Sequence, residues 1–440
     1  MLSPGPDPLT GSAPSPALVL TDGPIRAAQR RTVVVLAAAQ VAGGLGIGAA
    51  VSVGGLLALD ISGSEIWAGG SSTASTLGAA LFALPFAALA ARSGRRRSLS
   101  SAWGLAAIGA AVVVLAAVLG SYPALIVGML LIGAGNAAIY QSRYAATDLA
   151  LPAKRGRDLS LVFWAATAGT ILGPNLTEPG AVVAELLNIP SLVGPFVFAG
   201  VGMALAVVLT MAFLRPDPLL LSHRLLAQQS TIRVAGDSTV LDESGATTEV
   251  RGSVWHNPRT RLAMSSIVLS QSVMVAVMTM APVHLRHHGA TLTIVGLTIS
   301  LHIAGMFAFS PLFGFLADRA GRVTTILIGQ GLLAAAALVA GTAGASETRL
   351  MVGLFLLGLG WSAGLVAGST LLAESVPAPD RVRVQGISDV LMNLVGATGG
   401  ALSGVLLALV GFGGLNAIAG LLVVPTLLFA LGSARSRAGI

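Results

Sequence analysis

Apolar runs long enough to cross a bilayer, about 20 residues each, recur along the chain, separated by short polar or charged stretches. They fall at 31–57, 66–91, 98–119, 123–146, 159–178 and 195–214, then at 261–284, 293–316, 323–343, 349–373, 385–409 and 413–433. Each run predicts a helix, because an open sheet would leave backbone groups unpaired in hydrocarbon. Residues 1–30 begin with a stretch rich in Pro, Ser and Gly and read as a disordered tail rather than a signal peptide, which needs a basic stretch directly ahead of an apolar core. The polar interval 215–260 contains Asp237, Asp242 and Glu243 and predicts a linker that opens with a short surface helix from Pro218. Residues 434–440 form a second tail.

Composition settles the solvent. The chain is 54% hydrophobic and 10% charged, against roughly 25% charged in a soluble domain, so lipid is the expected surrounding. Its 55 glycines suit helices that pack closely within a membrane. The absence of cysteine excludes disulfides and thiolate metal sites. A formal charge of +7 fits either nucleic acid or an anionic membrane face, and its distribution decides between them. Of the 25 Lys and Arg residues, all but Arg143, Arg286 and Arg349 fall in alternate loops or the tails. Cytoplasmic loops collect Lys and Arg. A multi-pass protein of the cell membrane with both termini in the cytoplasm is therefore expected, and nucleic acid is not an expected partner.

The two halves repeat each other. Leu89-Ala-Ala-Arg92-Ser-Gly94-Arg95 after the second run matches Leu316-Ala-Asp318-Arg319-Ala-Gly321-Arg322 after the eighth. Val127-Gly128-Met-Leu-Leu131-Ile-Gly133-Ala-Gly135 in the fourth matches Val352-Gly353-Leu-Phe-Leu356-Leu-Gly358-Leu-Gly360 in the tenth at nearly the same offset. Paired six-helix repeats with a site between them are a transporter design.

The stretch Gly314-Phe-Leu-Ala-Asp318-Arg319-Ala-Gly321-Arg322 resembles the hallmark loop of the major facilitator superfamily, and the resemblance covers about residues 30–433. It implies an all-α integral membrane fold, twelve transmembrane helices in two pseudo-symmetric six-helix bundles, and a latch that holds the cytoplasmic side shut. Asp318 can face a helix N-terminus, where the dipole favours an anion. The first copy departs from the pattern, with Ala87 for the Gly and Ala91 for the Asp, while Arg92, Gly94 and Arg95 remain. Asp148 resembles the family's usual acidic end to the fourth helix, Glu374 sits near its counterpart in the tenth, and Asp389 opens the eleventh. The expected pairs are Arg92 and Arg95 with Asp148 and Asp389, and Arg319 and Arg322 with Glu374. Gly169-Thr-Ile-Leu-Gly173-Pro174 resembles the bend motif of antiporters, although Asn175-Leu-Thr-Glu178 replaces the usual glycines that follow. Met129 stands where efflux members often carry an Arg. The motif implies export.

Polar groups within spans are costly and often functional. Gln40 and Gln271 occupy matching places in the two repeats; Asn136, Tyr140 and Arg143 lie on the fourth helix, and Asn175 and Asn393 join them as substrate-path candidates. Arg143 either snorkels to the nearby interface or forms a gate pair with Glu374 or Asp389. Asp60, Glu65, Glu178, Glu185 and His302 are the proton-coupling candidates, Asp60 first. His284, His287 and His288 fit no strong metal signature and read as a solvated external loop. A chain with 5% aromatic residues and one central base predicts a lipophilic or amphipathic cargo. The resulting expectation is a monomeric, cofactor-free secondary transporter exchanging that cargo for protons, with uptake by symport and a non-transporting sensor as rivals. Catalytic and phosphate-binding motifs such as His-Glu-x-x-His, Gly-x-Ser-x-Gly and Gly-Lys-Ser/Thr are absent, so an enzyme is not expected.

Overall fold

The computed structural model describes residues 23–63, 70–236 and 254–438. These residues form helices and short connections, with no strand among them. Among the described residues, nine helices are long and apolar enough to cross a membrane. Two of them hold two crossings each. Gly94 (φ 87°) divides Gly70–Val118 into the second and third, and Gly411 (φ 69°) divides the eleventh from the twelfth within Ala378–Leu421. Only glycine takes that backbone without strain. The fifth crossing starts with the helix Arg155–Leu172 and falls outside the nine because Arg155, Arg157 and Asp158 lie in its first turn. It tightens to a 3-10 turn at Gly173–Leu176 and resumes as Thr177–Leu186. The described residues thus make the twelve crossings that the apolar runs predict, six in each half.

Small residues set the helix spacing within each half. Gly169 and Gly173 of the fifth crossing lie against the backbone of the first, Gly Cα to Gly Cα, at Gly44 and Gly48. A Cβ on Gly173 would come within 2.6 Å of Gly48 Cα, so any larger residue would force the pair apart. Outward positions carry large apolar side chains such as Leu115, Val201, Leu205, Leu402 and Leu409, which are exposed in the protein alone and suit a lipid surrounding.

Two boundaries differ from the sequence expectation. The first helix, Gly23–Ser62, begins eight residues before 31, so 23–30 are helical rather than a disordered tail. The reason is a polar anchor: Gln29 Nε2 donates to Ala146 O and to Asp158 Oδ2, each at 2.7 Å. The linker opens with a 19-residue helix, Pro218–Gly236. Its Leu219 is buried with Ala87, Ala90 and Val382, which ties it to both halves. Residues 237–253, with Asp237, Asp242 and Glu243, lie outside the described set.

Candidate functional site: the seam between the halves

The fourth crossing, Tyr122–Ala145, carries Arg143 into the seam. Its Nη2 donates to Asp389 Oδ1 of the eleventh crossing at 2.7 Å, and the two side chains are 0% and 1% exposed. Arg143 therefore does not snorkel. Its partner is a carboxylate from the other half, and a buried cation is stable only when so paired. The Tyr144 ring lies 4.7 Å from the guanidinium and the Tyr140 ring 5.3 Å. Arg143 Nη2 also donates to the Tyr144 hydroxyl at 3.3 Å, and that hydroxyl donates to Ser388 Oγ at 3.4 Å. Asp389 Oδ2, Arg143 Nε and Arg143 Nη1 are buried with no partner among the described residues.

Nearer the arginine-rich ends, Arg95 binds Asp148 through Nε at 2.9 Å and Nη2 at 3.4 Å, and Nη2 reaches Gln385 Oε1 of the second half at 2.8 Å. Its pseudo-equivalent Arg322 binds Glu374 at 3.0 Å and Asp318 at 3.1 Å, and donates across the seam to Pro152 O. Arg155 lies 3.9 Å from Glu374. Asp318 accepts from the Gly156 and Arg157 backbone N–H groups at 2.9 and 2.8 Å. Those donors sit in the first helical turn, which has no intrahelical acceptors for them. Gly314 packs against Gly156 O and Ser160, and Gly386 against Ala87 Cβ.

Several expected pairings are not formed. Arg92 is exposed and makes no ion pair among the described residues, and Arg319 lies over the Phe315 ring at 5.7 Å instead of meeting Glu374. Asp389 meets Arg143 rather than Arg92 or Arg95. The cause is the positive-φ glycine in each copy, Gly94 at 87° and Gly321 at 99°. It turns the chain so that the following arginine, not the preceding one, starts the next helix facing the seam.

The path candidates scatter more widely. Gln40 Nε2 donates to Ile139 O at 3.0 Å, and Gln271 Oε1 accepts from Trp361 Nε1 at 2.7 Å. Asn393 Nδ2 donates to its own helix at Asp389 O, 2.8 Å. Asn136 Nδ2 donates to Ser75 Oγ at 3.1 Å, and both line a cavity of about 270 Å³ with Ser71, Ser72, Thr76 and Met129. Phe163, Phe307 and Trp361 pack between the halves, tilted or edge-on, with ring centroids 5.1 to 5.8 Å apart. The side chains of Pro174 and Asn175, and all of Glu65, lie outside the described set. Asp60 and Glu178 are exposed, and His302 is buried with Nδ1 on Leu354 O at 2.8 Å. None of those three touches the seam network. His284 bonds Gly344 O through Nε2 at 2.9 Å and stacks on Phe412, so it is part of a packed corner rather than a freely solvated loop. Sequence reasoning missed Tyr144, Gln385, Ser388 and the aromatic cluster. Tyr144 adjoins Arg143 and was the nearest to a legible signal.

The model of the Major Facilitator Superfamily matches residues 34–287 and 262–438. Two Bacillus subtilis (strain 168) relatives are similar along nearly the whole chain. The MFS-type transporter YdeG is 38% identical over 92% of both chains, and YddS is 37% identical over 91% of both. The riboflavin transporter RfnT of Brucella anthropi is 29% identical over 83% of this chain and 86% of its own. Among solved structures, a double-Trp mutant of XylE aligns with a TM-score of 0.71 at 17% identity, covering 93% of this chain and 95% of its own. The human organic anion transporter MFSD10 aligns at 0.69 and 18%, covering 91% and 99%. With the fold, the repeat and the seam agreeing, the chain belongs to the Major Facilitator Superfamily and is a multi-pass membrane transporter.

Proposed function

We propose that this transporter exports a lipophilic or amphipathic small molecule in exchange for protons, by alternating access of the two halves. The carrying observation is the buried Arg143–Asp389 pair that bridges them. Opening the arginine-rich side must part this pair. A carboxylate left buried without its partner costs about 3–5 kcal/mol; a proton on Asp389 removes the carboxylate's share, while Arg143 keeps the Tyr140 and Tyr144 rings of its own helix. Proton binding and the opening of this side are then linked. Arg95–Asp148, Arg322–Glu374 and Asp318 on the Gly156 and Arg157 N–H groups act as the latch of the closed state. The biased arginine distribution supports placing that side, with both termini, in the cytoplasm.

The Asn136–Ser75 cavity supplies neutral hydroxyl and amide groups beside the apolar Ile47, Ala50, Met129 and Ile132. That lining suits an amphipathic cargo without strong charge. The Brucella relative is named for riboflavin, itself a compound of that kind. The Gly169–Gly173–Pro174 bend supports the export direction. The test is flux in proteoliposomes with an imposed pH gradient, using riboflavin and a panel of amphipathic compounds. Asp389→Asn should lower gradient-driven flux at least about tenfold, the factor that about 1.4 kcal/mol represents, and leave exchange down a cargo gradient running. Unchanged gradient-driven flux in this variant would remove Asp389 from coupling, and uptake on the same side as proton entry would reverse the direction.

A further inference from the structure

A second cleft, of about 340 Å³, lies away from the seam between the start of the first helix and the start of the fifth crossing. Arg26, Arg30, Lys154 and Arg157 surround it, with Asp158 the one carboxylate among its lining residues. Arg30, Lys154 and Arg157 make no salt bridge among the described residues. Asp158 is already engaged by Gln29 Nε2 at 2.7 Å. Gln29 is 9% exposed, and its Oε1 is buried with no partner among the described residues. The cleft therefore presents cations to an anion and an acceptor to a hydroxyl.

Below the charges the lining turns apolar. Val33, Val34 and Leu161 continue it, and Val34 is 59% exposed. Arg157, Leu161, Trp164 and Leu172 fall on one helical face by spacing, and Trp164 and Leu172 are 45% and 51% exposed. A tryptophan about two turns beneath a row of bases is the arrangement found at a membrane–water boundary. A free phosphate would use the cations alone, whereas an acylated phosphate uses both the cations and the apolar stripe.

We propose that this cleft binds the headgroup of an anionic phospholipid, with the phosphate among Arg30, Lys154 and Arg157, a headgroup hydroxyl on Gln29 Oε1, and an acyl chain along Val34 and Leu161. Basic pockets between helices on the cytoplasmic side are suited to such headgroups. The site couples to the seam through one residue. The Arg157 side chain lines the cleft, while its backbone N–H holds Asp318 of the other half. Bound lipid steadies the first turn that presents the Gly156 and Arg157 donors, and so favours closure of the arginine-rich side.

The test reconstitutes the full chain in phosphatidylcholine vesicles with or without phosphatidylglycerol. It reads retained phosphatidylglycerol by native mass spectrometry, and closure by spin-label distances between cysteines placed at the arginine-rich ends of the second and eleventh crossings. Phosphatidylglycerol should shift the distances toward closure in the unaltered cleft. Arg30→Gln/Lys154→Gln/Arg157→Gln should retain about a hundredfold less of it and lose the shift, each base near the surface contributing about fivefold. Arg30→Gln alone should lose about fivefold and serves if the triple variant does not fold. Arg96→Gln/Arg97→Gln/Arg383→Gln removes the same charge outside the cleft and should keep both signals. Equal loss in the two triple variants would reduce the effect to bulk surface charge and overturn the site. So would undiminished retention in both Arg30→Gln and the cleft triple variant. Closure produced equally by inorganic phosphate would mean a free-anion site, and would also overturn the proposal.

Discussion

Where the eighth crossing meets the fifth, Gly314 lies against Gly156 and Ser160; where the second meets the eleventh, Ala87 lies against Gly386. Ala87 and Gly314 are equivalent in the repeat, and Gly386 and Ser160 take the places opposite them. One seam has glycine on both helices, Gly314 facing Gly156, while the other has Gly386 on the opposing helix facing Ala87, and both reach close contact through small residues. The acids have diverged similarly. Asp318 serves the first turn of the fifth crossing across the seam. The first copy has Ala91 at that place, and Asp217 from the linker enters instead. Asp217 accepts from Arg96 N at 2.7 Å and from Leu219 N at 3.0 Å. The second seam is held by charge from the other half, while the first is held by packing, by Arg95 and by a linker that neither bundle supplies.

Breaking this comparison should produce graded effects. Arg95→Gln leaves Asp148 buried without its cation, both side chains being 1% exposed, and should destabilise by about 3–5 kcal/mol, read as the largest loss of melting temperature in detergent. Arg322→Gln removes a hub whose side chains are 14% (Arg322) and 20% (Glu374) exposed and should cost about 1.5–3 kcal/mol, less than the fully buried pair because solvent partly screens it. Equal losses for the two arginines would mean that burial does not distinguish the seams. Gly314→Ala forces a Cβ into Ser160 Oγ and should cost about 1–3 kcal/mol of the closed state. Paired spin labels should report a shift toward the form open on the arginine-rich side, and the absence of native cysteine allows specific labelling. Adding Ser160→Gly removes the clash with the Ser160 side chain but not the one with Gly156 O, 2.5 Å from the added Cβ, and should restore closure in part; no restoration would mean that the Ser160 side chain is not the limiting contact. The smallest effect belongs to Asp217→Ala, about 0.5–2 kcal/mol for a lost helix cap, with proteolysis of the linker helix as its readout.

The ion pairs at the arginine-rich ends are partly legible in the sequence. Arg95 with Asp148 and Arg322 with Glu374 are expected pairs, since each residue stands at a helix end on the arginine-rich side of a repeated motif. Which arginine of each motif turns inward was not legible, because it depends on the backbone direction after Gly94 and Gly321. Arg143 was harder still. Its distance from the helix end allows snorkelling as well as a gate pair with Glu374 or Asp389, and the sequence does not choose between them. The helix at 23–30 is illegible for a related reason: the hydrogen bonds from Gln29 that extend it go to partners more than a hundred residues away.

By itself the sequence determined the lipid setting, the twelve crossings, the duplicated halves and the family. Each of these follows from hydrophobicity, charge and spacing along the chain, and lipid allows only helices that satisfy their own backbone. Tertiary structure alone decided that Asp389 answers Arg143 across 246 positions, that Asp217 enters the first motif turn, and that four bases gather around one cleft. Partner choice among buried charges depends on which groups are excluded from water together. That is a property of the packed helices and not of any stretch of sequence.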